Sequence, residues 1–269
     1  MKILICGKGG SGKSSITALL ATELDRRGYR VIVVDNDESN FGLHIQLGME
    51  LPKDFALHFG GKKMIFEKLS ELKRKREGKA SAFGERIRTE EIPGDYLSKK
   101  GRISLLAIGK IRDFGEGCAC PFNALSADFL QMLQPARDEF ALVDTDAGIE
   151  HFGRGVERGC DLILMVVDPS QESIRLADKV NKITDKVGKP LYYILNRTDE
   201  ETESFILDSI ARDKVVAAIP ADERIARNCL FGKPLDFELE GIKKLADFLV
   251  NMKEQRKGEK DTEVTSRPC

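Results

Sequence analysis

The residues best suited to chemistry lie near the start of the chain, between an apolar run and a helical pattern. Residues 7–14 read GKGGSGKS and satisfy the pattern G-x-x-x-x-G-K-[ST]. In this pattern the glycines let successive backbone N–H groups point at phosphate oxygens, and the N-terminus of the following helix attracts negative charge. We expect Lys13 to reach the β and γ phosphates and the Ser14 hydroxyl to bind Mg²⁺. The predicted nucleotide-binding residues here are Gly7, Lys8, Gly9, Gly10, Ser11, Gly12, Lys13, Ser14 and Ser15.

Carboxylates follow two further apolar runs. Asp35 and Asp37 come after residues 31–34, and Asp144 ends the run FALVD. In an open parallel sheet, ligands bind beyond the carboxyl ends of the strands, so these side chains are predicted to lie beside the phosphate loop. Asp144 is predicted to hold Mg²⁺, and Gly148 to provide a hinge and a backbone N–H near the γ phosphate. An alternative role as a carboxylate that caps a turn stays open for both Asp35 and Asp37, and is favoured more for Asp35.

Lys8 is a lysine that the simple phosphate-binding motif does not require. The string K-G-G-x-G-K-[ST] resembles the deviant phosphate loop of the MinD/ParA/nitrogenase-iron-protein class of ATPases. The resemblance implies an ATP-hydrolysing homodimer in which Lys8 reaches the partner's nucleotide. It also implies that Asp37 orients the attacking water and that Asp35 supports it. The alternative for Lys8 is an exposed lysine that neutralises the nucleotide of its own subunit.

The same class resemblance implies a pocket for the base. Asn196, at the end of LYYILN, matches the residue that recognises adenine, and an amide can donate to and accept from an adenine edge at once. Residues 219–222, with Pro220 and Asp222, resemble the loop that covers the base. A helix N-cap is the alternative interpretation of Asn196.

Two of the six cysteines, Cys118 and Cys120, form a C-x-C pair after a predicted strand. One pair supplies two thiolates, whereas a closed zinc site requires four ligands. A two-fold symmetric dimer would bring four sulfurs to one point. We therefore favour a metal shared across the dimer over reactive or merely buried thiols. Thiolates bind nickel and zinc alike, so the spacing does not choose between Ni²⁺ and Zn²⁺.

Longer strings make the resemblance closer. These are DESNFGLH at 37–44, FGGKK at 59–63, GEGCACP at 115–121 and AGIEHFGRG at 147–155. Together they resemble the CooC-type maturation ATPases, which assist nickel insertion into carbon monoxide dehydrogenase, and the related factor that serves acetyl-CoA synthase. The resemblance implies a nickel-enzyme client, and nickel or zinc bound by the C-x-C pair between two subunits.

Two other functions compete with nickel delivery. An iron-sulfur carrier or electron donor resembling the nitrogenase iron protein would use the same four sulfurs, but that family places a further cysteine in the segment 144–155, where this chain has none. A positioning ATPase of the MinD/ParA type would bind a membrane or DNA. The chain's end lacks the apolar face that membrane anchoring requires, and its charge argues against DNA.

The elements that must position these residues form a repeating strand and helix pattern. Apolar runs at 1–6, 31–34, 103–108, 140–143, 162–167, 191–195 and 215–219 predict seven strands. The segments between them are long enough for crossover helices. We predict an α/β fold with a doubly wound, mostly parallel sheet, typical of a P-loop NTPase with a deviant Walker A motif. One domain is predicted over residues 1–252 with an irregular insertion at about 52–100, and residues 253–269 are predicted to be a disordered tail.

Composition excludes several classes of protein. The chain has 269 residues, of which 41% are hydrophobic, and 43 Lys and Arg offset 44 Asp and Glu to a net charge of −1. This balance gives no electrostatic footprint for nucleic acid. No apolar run reaches the roughly 20 residues that span a bilayer, and the first residues turn to glycine too early for a signal peptide. We therefore expect a cytoplasmic protein that binds neither a membrane nor nucleic acid.

Overall fold

A computed structural model of the chain describes residues 1–65, 67, 81, 83–84, 86–111, 120–148, 152 and 155–265. Its strands form one sheet of eight in the order β3-β4-β2-β5-β1-β6-β7-β8. The strands are β1 Lys2–Gly7, β2 Arg30–Asn36, β3 Ser98–Lys100, β4 Ile103–Ala107, β5 Glu139–Thr145, β6 Leu162–Val167, β7 Leu191–Thr198 and β8 Val215–Pro220.

All neighbouring strands pair in parallel except β3, which runs antiparallel to β4 at the edge. The predicted doubly wound, mostly parallel sheet is confirmed, and each of the seven predicted strands is present. The eighth, β3, has the sequence SKK and is largely exposed. It has no apolar pattern that could have identified it, and it joins the sheet by antiparallel backbone pairing with β4.

Helices connect the strands and cover the sheet. The α-helices are α1 Lys13–Arg26, α2 Leu43–Leu47, α3 Cys120–Met132, α4 Gln171–Val187, α5 Glu200–Ser209, α6 Glu223–Leu230 and α7 Glu240–Thr265. Short 3₁₀ helices lie at Phe55–Phe59, Thr89–Glu91, Gly94–Tyr96, Val156–Gly159 and Arg212–Lys214.

Alternate residues of β1 belong to opposite faces of the sheet. Ile3 and Ile5 pack in the apolar cluster that contains the buried residues of α1 and α7. Leu4 and Cys6 pack in the second cluster, with the buried residues of α3 and α4. Because both faces are covered, the central strands are apolar throughout, as buried parallel strands are. The carboxyl ends of these strands therefore meet at one edge, where the polar residues collect.

Two segments outside the regular pattern differ in outcome. In the insertion at 52–100, residues 61–65 are helical, and most of the helix suggested by the pattern at 64–75 lies outside the described residues. The tail differs from the prediction, because α7 continues to Thr265 where disorder was expected from residue 253. Leu245 and Leu249 are fully buried and fix the start of α7. The residues beyond are rich in Lys and Glu, good helix formers that extend a helix once it has begun. The division into one domain with an insertion stays a prediction.

Candidate nucleotide site

The phosphate loop, residues 7–14, connects β1 to α1. Three of its glycines have positive φ, 148° at Gly7, 75° at Gly10 and 100° at Gly12. A Cβ on Gly7 would lie 2.5 Å from the carbonyl oxygen of Val166, and one on Gly12 would lie 2.3 Å from Nδ2 of Asn196. Since these distances are below van der Waals contact and side chains disfavour such φ values, only glycine fits either position.

Polar groups of the loop are placed to receive an anion. Oγ of Ser11 is buried and has no hydrogen-bond partner in the described part of the chain. Lys13 is only 7% exposed, and its Nζ donates to the backbone carbonyl of Lys8 at 3.2 Å. A buried hydroxyl without a partner is costly, and a phosphate oxygen could accept from both the hydroxyl and the ammonium. The loop therefore fits the phosphates of a nucleotide.

Oxygen ligands suited to Mg²⁺ lie at the first turn of α1. Oγ of Ser14 donates to Oδ2 of Asp144 at 2.6 Å and accepts from Nδ2 of Asn40 at 2.7 Å. Oγ1 of Thr17 lies 3.4 Å from the other carboxylate oxygen of Asp144. Mg²⁺ prefers hydroxyl, carboxylate and phosphate oxygens and keeps several waters. Ser14 and Asp144 together could hold the ion, with Asn40 as their neighbour.

The protonation of Asp144 depends on its burial. The side chain is fully buried, and burial raises its pKa to about 7. The hydrogen bond from Ser14 lowers this pKa, while the charge of Asp35 raises it further. A bound cation favours the ionised form of a carboxylate, so Mg²⁺ would draw the pKa down again. A proton and a bound cation would therefore compete for Asp144 near neutral pH.

Asp35 and Asp37 lie where the sequence predicted, at the end of β2 and just beyond it. Oδ1 of Asp37 accepts from the backbone N–H and the hydroxyl of Ser39, at 3.0 and 2.7 Å. Asp35 is 1% exposed, and its Oδ1 accepts from the N–H of Asp37 at 3.3 Å, as a turn-capping carboxylate does. Burial raises the pKa of Asp35 to about 6, although the ammonium of Lys110 acts in the opposite direction.

Lys110 is a central residue of the site that the sequence analysis missed. Its side chain is fully buried, and Nζ pairs with Oδ2 of Asp35 at 2.7 Å. The same ammonium donates to the backbone carbonyls of Asp37, at 2.6 Å, and Asn40. It thus ties β2 to the loop that follows it. The signal was available, because Lys110 follows β4 and therefore lies at the same sheet edge as the two aspartates.

Gly148 contacts the phosphate loop directly. Its N–H donates to the carbonyl oxygen of Gly7 at 3.2 Å, and the two residues form an isolated antiparallel bridge. The N–H predicted to serve the γ phosphate is therefore engaged with the loop itself. Gly148 has a φ of 91°, a value open to glycine, and its role as a hinge stays a prediction.

Asn196 is a strand residue, so the N-cap alternative is wrong; Asp199 caps the next helix. Asn196 is 5% exposed, and its Nδ2 donates to the carbonyl of Ser11 at 2.7 Å. The following residue, Arg197, has a φ of 62° and donates to the carbonyl of Gly10 at 2.9 Å. Strained backbone of this kind persists where the surroundings fix it, often at binding sites. Both side chains support the phosphate loop from β7, and Arg197 was not predicted.

Pro220 and Asp222 lie at the junction between β8 and α6. Pro220 is the last residue of β8 and is exposed. Asp222 caps α6, since its Oδ1 accepts from the N–H of Arg224 at 2.8 Å. Its carboxylate also pairs with the Arg224 guanidinium at 2.6 Å, and this hydrogen bonding keeps its pKa below the usual value. Their role in covering a base stays a prediction.

Lys8 has a partner within its own chain. Its Nζ lies 3.2 Å from a carboxylate oxygen of Asp168, which follows β6. Burial alone would raise the pKa of Asp168, but hydrogen bonds from Ser170, Lys8 and Ser173 outweigh it and lower the pKa. Asp168 is thus ionised and pairs with Lys8 as a salt bridge, a contact that the sequence analysis did not foresee.

Of the C-x-C pair, Cys120 lies among the described residues. Cys120 is the first residue of α3 and is exposed, and its sulfur is disulfide-bonded. Cys118 lies outside the described residues. Within the described ranges no group of three His, Cys, Asp or Glu side chains is arranged to hold a metal. Burial raises the pKa of the free thiols Cys6 and Cys160 to about 12, so neither is a reactive thiolate.

The family of this chain follows from its similarity to known protein families. The profile of the CobQ/CobB/MinD/ParA nucleotide binding domain matches residues 2–235. The chain belongs to this MinD/ParA family of ATPases. Its ATPase chemistry agrees with the phosphate loop, the neighbouring carboxylates and the doubly wound sheet described above. The predicted class is confirmed.

Relatives of this MinD/ParA ATPase agree with that assignment. It is 51% identical over 250 residues to an uncharacterised ATP-binding protein of Methanocaldococcus jannaschii, covering 93% of this chain and 99% of the relative. It is 32% identical over 231 residues to the carbon monoxide dehydrogenase accessory protein CooC of Rhodospirillum rubrum, covering 84% and 85%. The MinD of Pyrococcus horikoshii, solved with Mg-ADP, superposes with a TM-score of 0.67 at 20% identity, covering 94% of this chain and 98% of the other.

A membrane-spanning helix is not found among the helices described for this MinD/ParA ATPase, since none is both long and apolar enough.

Proposed function

We propose that this ATPase is a maturation factor that delivers nickel to the active-site cluster of carbon monoxide dehydrogenase or acetyl-CoA synthase. The observation that carries the proposal is the 32% identity to an accessory protein of carbon monoxide dehydrogenase over most of both chains. The C-x-C pair at 118–120 supports it, because thiolates are suitable ligands for a nickel cargo. The client is a nickel enzyme, and the compartment is the reducing cytoplasm.

ATP with Mg²⁺ drives the proposed cycle. Lys13 holds the β and γ phosphates, while Ser14 and Asp144 hold Mg²⁺. The ion prefers oxygen ligands, and the oxygen atoms of these two side chains lie 2.6 Å apart. The solved MinD relative with Mg-ADP supports this ligand. Asp37 orients the attacking water. Asn196 recognises adenine, with Pro220 and Asp222 over the base.

Dimerisation is the second part of the proposal. Lys8 leaves Asp168 and contacts the nucleotide of a second copy of the chain, so that ATP closes the homodimer. Closure places two C-x-C pairs at the two-fold axis, where four sulfurs bind nickel or zinc. Cys120 must be reduced first, because a metal ligand is a thiolate and the sulfur is disulfide-bonded here. Hydrolysis then reopens the dimer.

Metal reconstitution tests this proposal directly. Anaerobically reduced protein is loaded with Ni²⁺ or Zn²⁺, and metal content, absorption spectrum and mass in solution are measured with and without ATP. We expect one metal per dimer in the wild type and none after Cys118→Ser with Cys120→Ser, with ATP affinity unchanged. Cys229→Ser is the matched control, because Cys229 is an exposed free thiol. Metal retained by the double variant would refute the bridging site, and a brown protein with equal iron and sulfide would favour an iron-sulfur carrier.

The salt bridge between Lys8 and Asp168 gives a prediction about dimerisation. Asp168→Asn removes the charge that holds Lys8 within its own chain, so the ammonium becomes available to the partner's phosphates. We expect the ATP-dependent dimer to form at a severalfold lower protein concentration, measured by analytical ultracentrifugation. A partly exposed ion pair contributes about 1 kcal/mol or less, which limits the effect to about fivefold. Lys8→Ala should abolish the ATP-dependent dimer, and a dimer in that variant would contradict the trans contact.

A further inference from the structure

The loop that follows β2 is held by three of its backbone carbonyls. The buried ammonium of Lys110 donates to the carbonyl of Asp37 at 2.6 Å and to that of Asn40. The N–H of Ile111 donates to the carbonyl of Glu38 at 3.0 Å. A hydrogen bond from a charged donor is about twice as strong as one from a neutral donor. The ammonium of Lys110 is therefore the main contact that fixes this loop.

Two functional side chains extend from the fastened backbone. Oδ1 of Asp37 accepts from the N–H and the hydroxyl of Ser39, at 3.0 and 2.7 Å, and this fixes the direction of the carboxylate. The amide of Asn40 accepts from the N–H of Gly42 at 2.8 Å and donates to Oγ of Ser14 at 2.7 Å. Local contacts thus fix both side chains relative to the loop, so their position in the site depends on what holds the loop backbone.

Lys110 also takes part in a buried ion pair. Its Nζ lies 2.7 Å from Oδ2 of Asp35, and both side chains are at most 1% exposed. Removal of one partner of a buried pair leaves a charge without compensation, whereas removal of both partners is often nearly neutral for stability. If Lys110 only compensates the charge of Asp35, replacing both residues should restore the wild-type behaviour. If Lys110 holds the loop, the loop should stay loose.

We propose that Lys110 is a positioning residue for ATP hydrolysis, which holds the loop 37–40 so that the carboxylate of Asp37 meets the attacking water. The inference rests on the proposed role of Asp37 and names a residue on which that role depends. A displacement of about 1 Å from the reactive geometry can lower a rate by about 100-fold. The phosphates bind at the loop between β1 and α1, so loss of Lys110 should lower kcat and leave the KM for ATP nearly unchanged.

Steady-state hydrolysis of Mg-ATP by Lys110→Met, followed as released phosphate, tests the proposal. Methionine fills most of the volume of the lysine side chain and lacks the ammonium. We expect kcat to fall at least about tenfold and the KM for ATP to change by less than about twofold. Lys2→Met is the matched control, because Nζ of Lys2 also donates to two backbone carbonyls, those of Leu130 and Leu133, at 2.7 and 2.9 Å near the end of α3. This control should hydrolyse ATP at the wild-type rate.

Hydrogen exchange of backbone amides tests the loop without nucleotide or Mg²⁺. The N–H groups of Ser39, Asn40 and Gly42 are all hydrogen-bonded within the loop. In Lys110→Met they should exchange about tenfold faster or more, because the loop loses a charged donor, while the amides of β1 keep their wild-type rates. Loop amides that exchange as in the wild type would overturn the proposal. Faster exchange along the whole chain would overturn it too, since Lys110 would then only stabilise the fold.

The double variant Asp35→Asn with Lys110→Met separates loop positioning from charge compensation. It leaves no unpaired charge of this pair in the core, so it carries the test if Lys110→Met does not fold. We expect its melting temperature to lie near that of the wild type, while its loop amides exchange as fast as in Lys110→Met and its kcat stays low. A double variant with the exchange rates or the kcat of the wild type would mean that Lys110 only compensates Asp35.

Asp37→Asn distinguishes failure of this inference from failure of the proposed role of Asp37. If Asp37→Asn hydrolyses ATP like the wild type, while Lys110→Met loses kcat and its loop amides exchange faster, the positioning by Lys110 stands and the assignment of Asp37 fails. If Asp37→Asn loses hydrolysis while Lys110→Met keeps the wild-type kcat, the role of Asp37 stands and Lys110 is not a positioning residue.

Discussion

Lys13→Ala is expected to lower the affinity for ATP by at least about 100-fold, because a hydrogen bond to a charged group contributes about 1.5–3 kcal/mol and Lys13 is predicted to contact two phosphates. The ammonium of Lys13 is buried and lies 3.2 Å from the carbonyl of Lys8 in the loop backbone. A lysine exposed to water elsewhere on the surface cannot take over its contacts with the phosphates. Isothermal titration calorimetry with Mg-ATP measures the effect. The fold should persist, since the aliphatic part of the side chain is the only packing lost.

Lys182→Ala is the control for this experiment. Lys182 is 68% exposed and pairs with Asp178 one turn away on α4. Lys182→Ala also removes one lysine charge, but far from the phosphate loop. The affinity for ATP should therefore be unchanged. Equal affinity in Lys13→Ala and the wild type would place the nucleotide elsewhere.

Asp144→Asn should stabilise the protein above pH 7 when no nucleotide or Mg²⁺ is added. In the folded chain burial raises the pKa of Asp144 to about 7, whereas an unfolded aspartate has a pKa of about 4. The folded form therefore binds the extra proton, and its stability falls as pH rises from about 4 through 7. Asparagine does not ionise, so the variant lacks this loss. At pH 8 we expect a gain on the order of 3 kcal/mol, read by thermal or denaturant unfolding.

The same variant should lose the response to Mg²⁺. Mg-ADP should raise the melting temperature of the wild type at pH 8, because the ion compensates the buried carboxylate, and should raise that of Asp144→Asn much less. Below about pH 4 the variant and the wild type should be equally stable, since the wild-type carboxyl is then protonated in the unfolded as well as in the folded chain. Asp178→Asn, at an exposed carboxylate, is the control. A stability difference that is independent of pH would contradict the role of burial.

A structural feature could be predicted from the sequence when it depends on residues that are close together in the chain. The strands were predicted because an apolar run that is followed by glycine, aspartate, asparagine or proline can be recognised without knowledge of the partner strand. Asp35, Asp37 and Asp144 were placed at the sheet edge by the same rule. The position of Lys110 after β4 indicates the sheet edge, but its contact with Asp35 joins residues that are far apart in sequence, and a lysine after a strand is ordinarily exposed, so its burial and its pairing had no local signal. The pairing of Lys8 with Asp168 was missed for the same reason.

Side-chain partners of predicted residues were harder to foresee than the residues themselves. Asn196 was singled out for adenine, yet here its amide donates to the carbonyl of Ser11, a contact that requires the phosphate loop to pass over β7. The positive φ of Arg197 is another feature without a sequence signal, since arginine rarely adopts it. Both depend on the distance between strands that are not neighbours in the chain.

The bridge between Gly7 and Gly148 bears on the relative affinity of the site for nucleoside triphosphate and diphosphate. The N–H of Gly148 is committed to a carbonyl of the loop at 3.2 Å. A third phosphate that takes this N–H must first open the bridge, whereas a diphosphate ends one phosphoryl group short and leaves it closed. A triphosphate would then compete with a backbone hydrogen bond that a diphosphate leaves intact, and the relative affinity for the two nucleotides would depend partly on that bond. The loss of the terminal phosphate would let that bond close again, returning the loop to the conformation that accompanies the product.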